Sequence, residues 1–202
     1  MARPIGTPDD ALLDAAGHVL MTEGPSGFTL AKAAASAGVS AATFVKRFGS
    51  KERLFLRLSQ RWADSLDRGL AEATRGVDSP LRRLRVAALY NYHDLDNPTT
   101  AAKQLAALAI DLQNDEMRDW LHVGWGYVRR HLERHAAAAV AAGEMAGAPP
   151  PAQLARILMA AMEGGCLVWS VHPDGSLIRR LAADLDALLS GWVTDKEKAH
   201  GR

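Results

Sequence analysis

The residues best suited to chemistry lie close together. Gly38-Val39-Ser40 is followed by Ala41, Ala42, Thr43, Phe44 and Val45, then by Lys46 and Arg47, and after Gly49-Ser50 by Lys51. From Phe28 to Arg61, seven cations (Lys32, Lys46, Arg47, Lys51, Arg53, Arg57 and Arg61) face one acid, Glu52. Clustered cations attract phosphate by charge alone, without reading any base. The whole chain carries a formal net charge of only +1, so this is a local site and not a polycation.

A cation cluster reads DNA only if some element pushes it into a groove. The flanking sequence predicts two short helices, Thr29–Ala37 and Ser40–Phe48, joined by a tight turn at Gly38-Val39. Gly38 supplies the left-handed backbone that such a turn needs, Val39 plugs the gap, and Ser40 caps the second helix. Leu30, Ala34, Ala37, Phe44 and Phe48 form the inner faces. Ala41, Ala42, Thr43, Val45 and Lys46 are left for a major groove, because recognition helices contact bases near their N-terminal ends. Thr43 and Val45 can meet thymine methyls, and Lys46 can reach guanine acceptors. Lys51 opens the next helix, where backbone N–H groups and a cation together suit a phosphate.

The segment "GFTLAKAAASAGVSAATFVKRFGSKERLF", Gly27 to Phe55, resembles the TetR (tetracycline-repressor-like) family of transcriptional regulators. Thr29, Ala37-Gly38-Val39-Ser40, Thr43, Phe48 and Ser50-Lys51-Glu52 carry the likeness. It implies a DNA-binding set of Thr29, Ser40, Ala41, Ala42, Thr43, Val45, Lys46, Arg47 and Lys51. Three positions depart from the family pattern. Val45 stands where a phosphate-touching Tyr is usual, Arg47 where His or Tyr is common, and Ala33 where Ile packs the second helix. Much of the specificity is therefore expected from DNA shape and phosphate register.

The remainder also reads as helix, with no sustained alternation and no Asn-Gly hairpin turn. Expected spans are Pro8–Glu23 with Thr7 as its cap, Ser50–Ala73, Pro80–Leu95, Pro98–Asn114, Asp115–Met145, Ala152–Val171 and Ser176–Thr194, with "DKEKAHGR" frayed. The fold class is all-α with about nine helices: a three-helix helix-turn-helix unit over 1–49, then a helical effector-binding and dimerisation domain over 50–202. Leu54, Phe55, Leu58 and Trp62 share the face of the helix that joins the two.

Resemblance implies a ligand chamber and a dimer interface in that second domain. For ligand binding the aromatic and thioether residues Tyr90, His93, Met117, Trp120, Trp125, Met162 and Trp169 are the candidates, each with an apolar body and most with one polar tip. For the interface, two apolar stripes stand out: Leu154, Ile157, Leu158, Ala161 and Gly165, and Leu181, Leu185, Leu188 and Trp192. Two such helices from each subunit make a four-helix interface with two-fold symmetry.

His131 and His135 in "HLERH" have zinc-like spacing but no evident third ligand, and Arg129, Arg130 and Arg134 surround them. They read as part of a solvated basic face. No Walker-type loop, nucleophile elbow or catalytic triad appears, so no enzyme activity, metal or cofactor is expected. Cys166 is the one cysteine, and there is no secretory signal and no run of about 18 apolar residues. A cytoplasmic homodimer follows, with a double-stranded DNA operator and a small-molecule effector as partners. The alternatives are a ligand-independent regulator, and a helical enzyme with a vestigial helix-turn-helix built on His93 or the His131/His135 pair.

Overall fold

A computed structural model describes residues 8–194. The proposed Thr7 cap and the "DKEKAHGR" tail lie outside them. Among the described residues there are nine α-helices and no strand: α1 (Asp9–Gly27), α2 (Leu30–Ser36), α3 (Ala41–Phe48), α4 (Lys51–Ala73), α5 (Pro80–Leu89), α6 (Pro98–Gln113), α7 (Asp115–Ala141), α8 (Pro151–Val171) and α9 (Leu177–Leu189). The residues fall into two compact units. Of the described residues, the first comprises 8–63 and 102–121, the second 64–101 and 122–194. The sequence reading places its boundary at 49/50, and the compact units divide elsewhere.

In the first unit Leu12, Leu13, Ala16 and Val19 of α1 pack with Phe28, Ala33, Ala34, Phe44, Phe48, Leu54, Phe55 and Met117. α1 passes the "EGPSG" break with a kink at Gly24 (φ 71°, ψ 170°) and resumes through Gly27. The sequence places its end at Glu23. Pro25 lacks an N–H, so it fits the first turn after the kink.

In the second unit the hydrophobic stripes close on each other. Leu81, Leu84, Leu154, Leu158, Leu177, Leu181, Leu185 and Leu189 are all buried. Glu144 reaches back to α5, accepting from the Leu81 N–H at 2.8 Å and from the Ser79 hydroxyl at 3.0 Å. The expected helices 115–145 and 176–194 both end early, at Ala141 and Leu189. Their trailing segments pair instead: Ala146 N–H donates to Trp192 O at 2.8 Å and Thr194 N–H to Glu144 O at 3.0 Å. Two backbones that satisfy each other have no need of further helical turns.

The expected helix 80–95 also changes character. After Leu89 the chain tightens into a 3-10 helix, Tyr90–Leu95. With three residues per turn, positions i and i+3 eclipse. Tyr92 and Leu95 therefore face inward, while His93 is exposed.

α8 has a mean hydropathy of 1.4 over its most apolar window, long and apolar enough by composition to cross a membrane. No such run was expected from the sequence. Leu154, Leu158, Met162, Cys166 and Trp169 of this helix are buried in the unit's core, about a third of that window being covered.

The two histidines are a clear correction. His131 is 1% exposed and His135 7%. They belong to the inward stripe Val128, Leu132, Ala136 and Ala139, at i, i+4, i+8 and i+11, which the adjacent arginines obscured. His131 Nε2 meets Asp67 Oδ1 at 2.9 Å. His131 Nδ1 and His135 Nε2 have no hydrogen-bond partner. No group of three His, Cys, Asp or Glu side chains is arranged to hold a metal ion among the described residues.

Burial, with the charges of His131, Arg134 and Arg83, pushes the pKa of His135 down to about 4. The unfolded chain then binds the extra proton first, so stability is full above about pH 6.5 and falls as pH drops toward 4. Allowing for partial hydration, the loss is about 2 kcal/mol. Urea midpoints at pH 7 and pH 4.5 measure it. His135→Leu is expected to remove most of that difference, and an unchanged difference would assign acid lability elsewhere.

Candidate nucleic-acid interface

The helix-turn-helix is built from local rules. Thr29 caps α2, its hydroxyl accepting from the Lys32 N–H at 3.1 Å. Gly38 turns with φ +67°, and Val39 N–H donates to Ala34 O at 3.0 Å. Ser40 caps α3 by accepting from the Thr43 N–H at 3.2 Å, and the two hydroxyls are 3.0 Å apart. The Thr29 and Ser40 hydroxyls are thus occupied with backbone N–H groups, and the Thr43 hydroxyl with that of Ser40, before any DNA arrives.

Phe44 is fully buried and Phe48 nearly so, their rings 5.3 Å apart. That seating fixes the rotation of α3 and turns Ala41, Ala42, Val45, Lys46 and Arg47 to solvent. Val45 is half exposed, a large apolar side chain with no neighbour to cover it. The outward face is small, smooth and apolar at its start, with its cations in the last turn.

The cation count needs correcting, because α1 supplies the acids. Arg47 pairs with Asp9, Arg61 with Asp14 at 2.8 Å and Lys32 with Glu23 at 2.8 Å. The Lys32 bond holds the Glu23 carboxyl below its usual range. Lys51 turns inward: Nζ donates to Pro25 O at 2.7 Å and Phe28 O at 3.2 Å, and lies over the Phe28 and Phe55 rings. It ties α4 to the α1–α2 junction. Lys46 has no ion-pair partner among the described residues and is exposed. Exposed pairs of this kind are worth little, so a phosphate can exchange with Asp9 for Arg47 at small cost. Asp9, Asp14 and Glu23 are the functional neighbours that sequence reasoning missed. A count of acids within α1 would have raised them, but not whom they face.

The expected ligand residues do not form one group. Met117 sits in the core of the first unit, and Trp120 belongs to that unit as well. Tyr90 lies over Gly69 and His93 points to solvent. Trp169 is buried with its Nε1 donating to Asp174 O at 3.3 Å, a lock on the α8–α9 loop. Trp125 and Met162 do meet, around an enclosed space of about 20 Å³ that Tyr92, Met159 and Glu163 also line. That is room for one water. Burial pushes the Glu163 carboxyl up, partly offset by the Tyr92 hydroxyl that donates to it. Tyr92 itself is raised by burial and then by Glu163.

The expected dimer stripes are also redistributed. Leu154, Leu158, Leu181 and Leu185 are buried within the second unit, where no partner subunit can touch them. Ile157, Ala161, Gly165, Leu188 and Trp192 are partly exposed. Gly165 does permit a close approach, but of α9 in the same chain: a Cβ there would lie 2.6 Å from Leu181. The apolar residues that α8 leaves in solvent are Leu167, Val168 and Val171.

Residues 12–58 match the family model described as bacterial regulatory proteins, tetR family. No curated protein matches the chain. Among solved structures, the repressor SmeT of the Stenotrophomonas maltophilia multidrug efflux pump SmeDEF is 23% identical, with a TM-score of 0.68 over 94% of this chain and 92% of its own. A TetR-family regulator from Agrobacterium tumefaciens is 21% identical, TM-score 0.74, over 92% and 97%. FadR from Bacillus subtilis, solved with stearoyl-CoA, is 17% identical, TM-score 0.70, over 91% and 99%. Identities at this level show a shared fold. Residues 12–58 thus match the DNA-binding module of the tetR family, and nearly the whole chain shares the fold of the TetR-family regulators.

Proposed function

We propose that the chain is a ligand-responsive repressor that binds a near-palindromic operator as a homodimer. One observation carries the DNA half: α3 buries Phe44 and Phe48 and turns Ala41, Ala42, Val45, Lys46 and Arg47 outward. Such a helix can lie in a major groove with its methyl-bearing face against thymines and its cations at the phosphates. Arg47 takes the phosphate contact that the family's Tyr makes at the position of Val45. Lys51 holds α4 in place, and Ser50 caps that helix by accepting from the Arg53 N–H at 3.2 Å.

Two-fold pairing through the exposed Leu167, Val168 and Val171 of α8 sets two such helices on successive grooves, about 34–36 Å apart or a multiple of that. In this reading the effector enters the second unit around Trp125, Met159 and Met162, which line one small space there. Methionines repack readily, so these walls suit a pocket that opens on binding. An effector that favours the wrong groove spacing weakens DNA binding by the factor by which DNA weakens the effector.

A ligand-independent regulator is favoured by one fact, the near-filled inner space of about 20 Å³. The enzyme reading has less support: His131 is buried in the core beside Asp67, and His93 is exposed.

Selection of bound sequences from random duplex DNA tests the reading and yields the operator. Inverted half-sites are expected, and no enrichment at low salt would sink it. On the selected site, Lys46→Gln is expected to weaken binding at all sequences alike and to flatten the slope of log affinity against log salt by about 1. A change confined to one base position would instead make Lys46 a base reader.

A further inference from the structure

On the surface of the second unit, α7 and α8 form an open trough of about 500 Å³. Its floor holds Trp125, Tyr127 and Met159, and its rim holds Arg129, Arg130 and Arg156. Such a volume is within the range of small-molecule sites. The three arginines are not equivalent. Arg129 is paired with Glu133 at 2.7 Å. Arg130 stacks over the Tyr127 ring at 4.4 Å and Arg156 donates only to Ala152 O of its own helix, at 3.2 Å. Neither has a carboxylate partner among the described residues. Two unpaired guanidiniums over an aromatic floor form a fork for an anion attached to a flat apolar body.

Trp125 and Met159 line both this trough and the enclosed space beside Tyr92 and Glu163. A molecule anchored in the trough therefore lies against the two side chains that border the inner space. Glu163, whose carboxyl burial pushes up, opposes an anion less there than an ordinary carboxylate does. The trough lies at the N-terminal end of α8, where Ala160 and Gly164 lead from it toward the patch assigned to pairing. Arg156 and Leu167 are eleven residues apart on α8, about 16 Å along its axis.

We propose that this trough seats the charged end of the effector, and that the effector is an amphipathic organic anion: a carboxylate or phosphate held by Arg130 and Arg156, carried on an aromatic body that lies on Trp125 and Met159. This rests on the ligand-responsive reading above, and the test separates the two.

The probes share one body: 2-naphthylacetate and 2-naphthyl phosphate as anions, 2-naphthylethanol as the neutral form and 2-naphthylethylammonium as the cation. Calorimetry on the full chain is expected to show both anions binding at least tenfold more tightly than the alcohol, with the ammonium weakest. The tighter anion identifies the head group. In R130Q/R156Q the anions are expected to fall to the level of the alcohol, whose own affinity moves less than twofold. R130K/R156K keeps the order of the probes and controls for folding. Trp125→Ala weakens all four. Tightest binding by the ammonium, an anion preference that survives R130Q/R156Q, or no binding of any probe up to millimolar concentration overturns the proposal. The same probes are then added to the chain on its selected DNA. Charge-ordered binding without release of DNA keeps the trough and ends the ligand-responsive reading. DNA binding with no probe bound ends the trough and leaves the regulator.

Discussion

Phe44→Ala is expected to lower the stability of the N-terminal unit by about 3–5 kcal/mol, while Val45→Ala, one residue along, changes it by less than about 0.5 kcal/mol. Phe44 is fully buried among the side chains of α1, α2 and α4, whereas Val45 is half exposed. Truncating Phe44 removes a ring from water-excluded contact and leaves a cavity that the surrounding helices cannot collapse to fill. Urea unfolding followed by the fluorescence of Trp62 and Trp120, both in this unit, measures the difference. The functional outcomes should cross over. Phe44→Ala loses operator binding because the unit no longer holds α3, and Val45→Ala keeps the fold but loses a contact at one half-site position. Equal stability losses for the two would mean that α3 is rotated by about 100° from the position described, and the groove-facing set would have to be drawn again.

The second large effect concerns pairing. Leu167 is 53% exposed, Val168 64% and Val171 81%, and Ala160 and Gly164 continue the same exposed stripe toward the N-terminus of α8. In the proposed two-fold dimer every substitution on this stripe acts twice. Val168→Glu then sets a carboxylate against its own copy across an apolar contact. At about 2 kcal/mol for each copy, the dimer weakens by about 4 kcal/mol, roughly a thousandfold. Sedimentation should show a monomer at micromolar concentration, and affinity for the paired operator should collapse, leaving only half-site binding. Because Val168 is largely exposed, the urea midpoint of the monomer should stay close to that of the parent chain extrapolated to low concentration. A Val168→Glu chain that sediments as a dimer would exclude this face from the interface.

The helix-turn-helix was legible because each of its parts is a short-range rule. A cap three residues before the N–H it serves, a glycine at the one left-handed turn and two phenylalanines four apart can all be read along the chain. The all-helical class followed from periodicity in the same way. Helix ends were less legible where a rival partner lay far away. The 144–146 and 192–194 segments stop being helix because they bond to each other, some 48 residues apart.

Which side chains face each other is a different kind of fact, and the sequence by itself left it open. It determined that cations gather between Lys32 and Arg61, but Asp9, Asp14 and Glu23 come from another helix to meet three of them. It determined that Tyr90, Tyr92 and His93 share a segment, but the tighter 3-10 turn decided that Tyr92 goes inward. It marked His131 and His135 as polar among arginines, and packing put both in the core. It gave α8 apolar residues on both sides, and only packing within the unit decided that Leu154 and Leu158 are covered while Leu167, Val168 and Val171 are not. Local hydrogen bonding depends on neighbours within a turn or two and is written in the order of residues. Burial and charge pairing depend on distance in space, and only the folded chain supplies it.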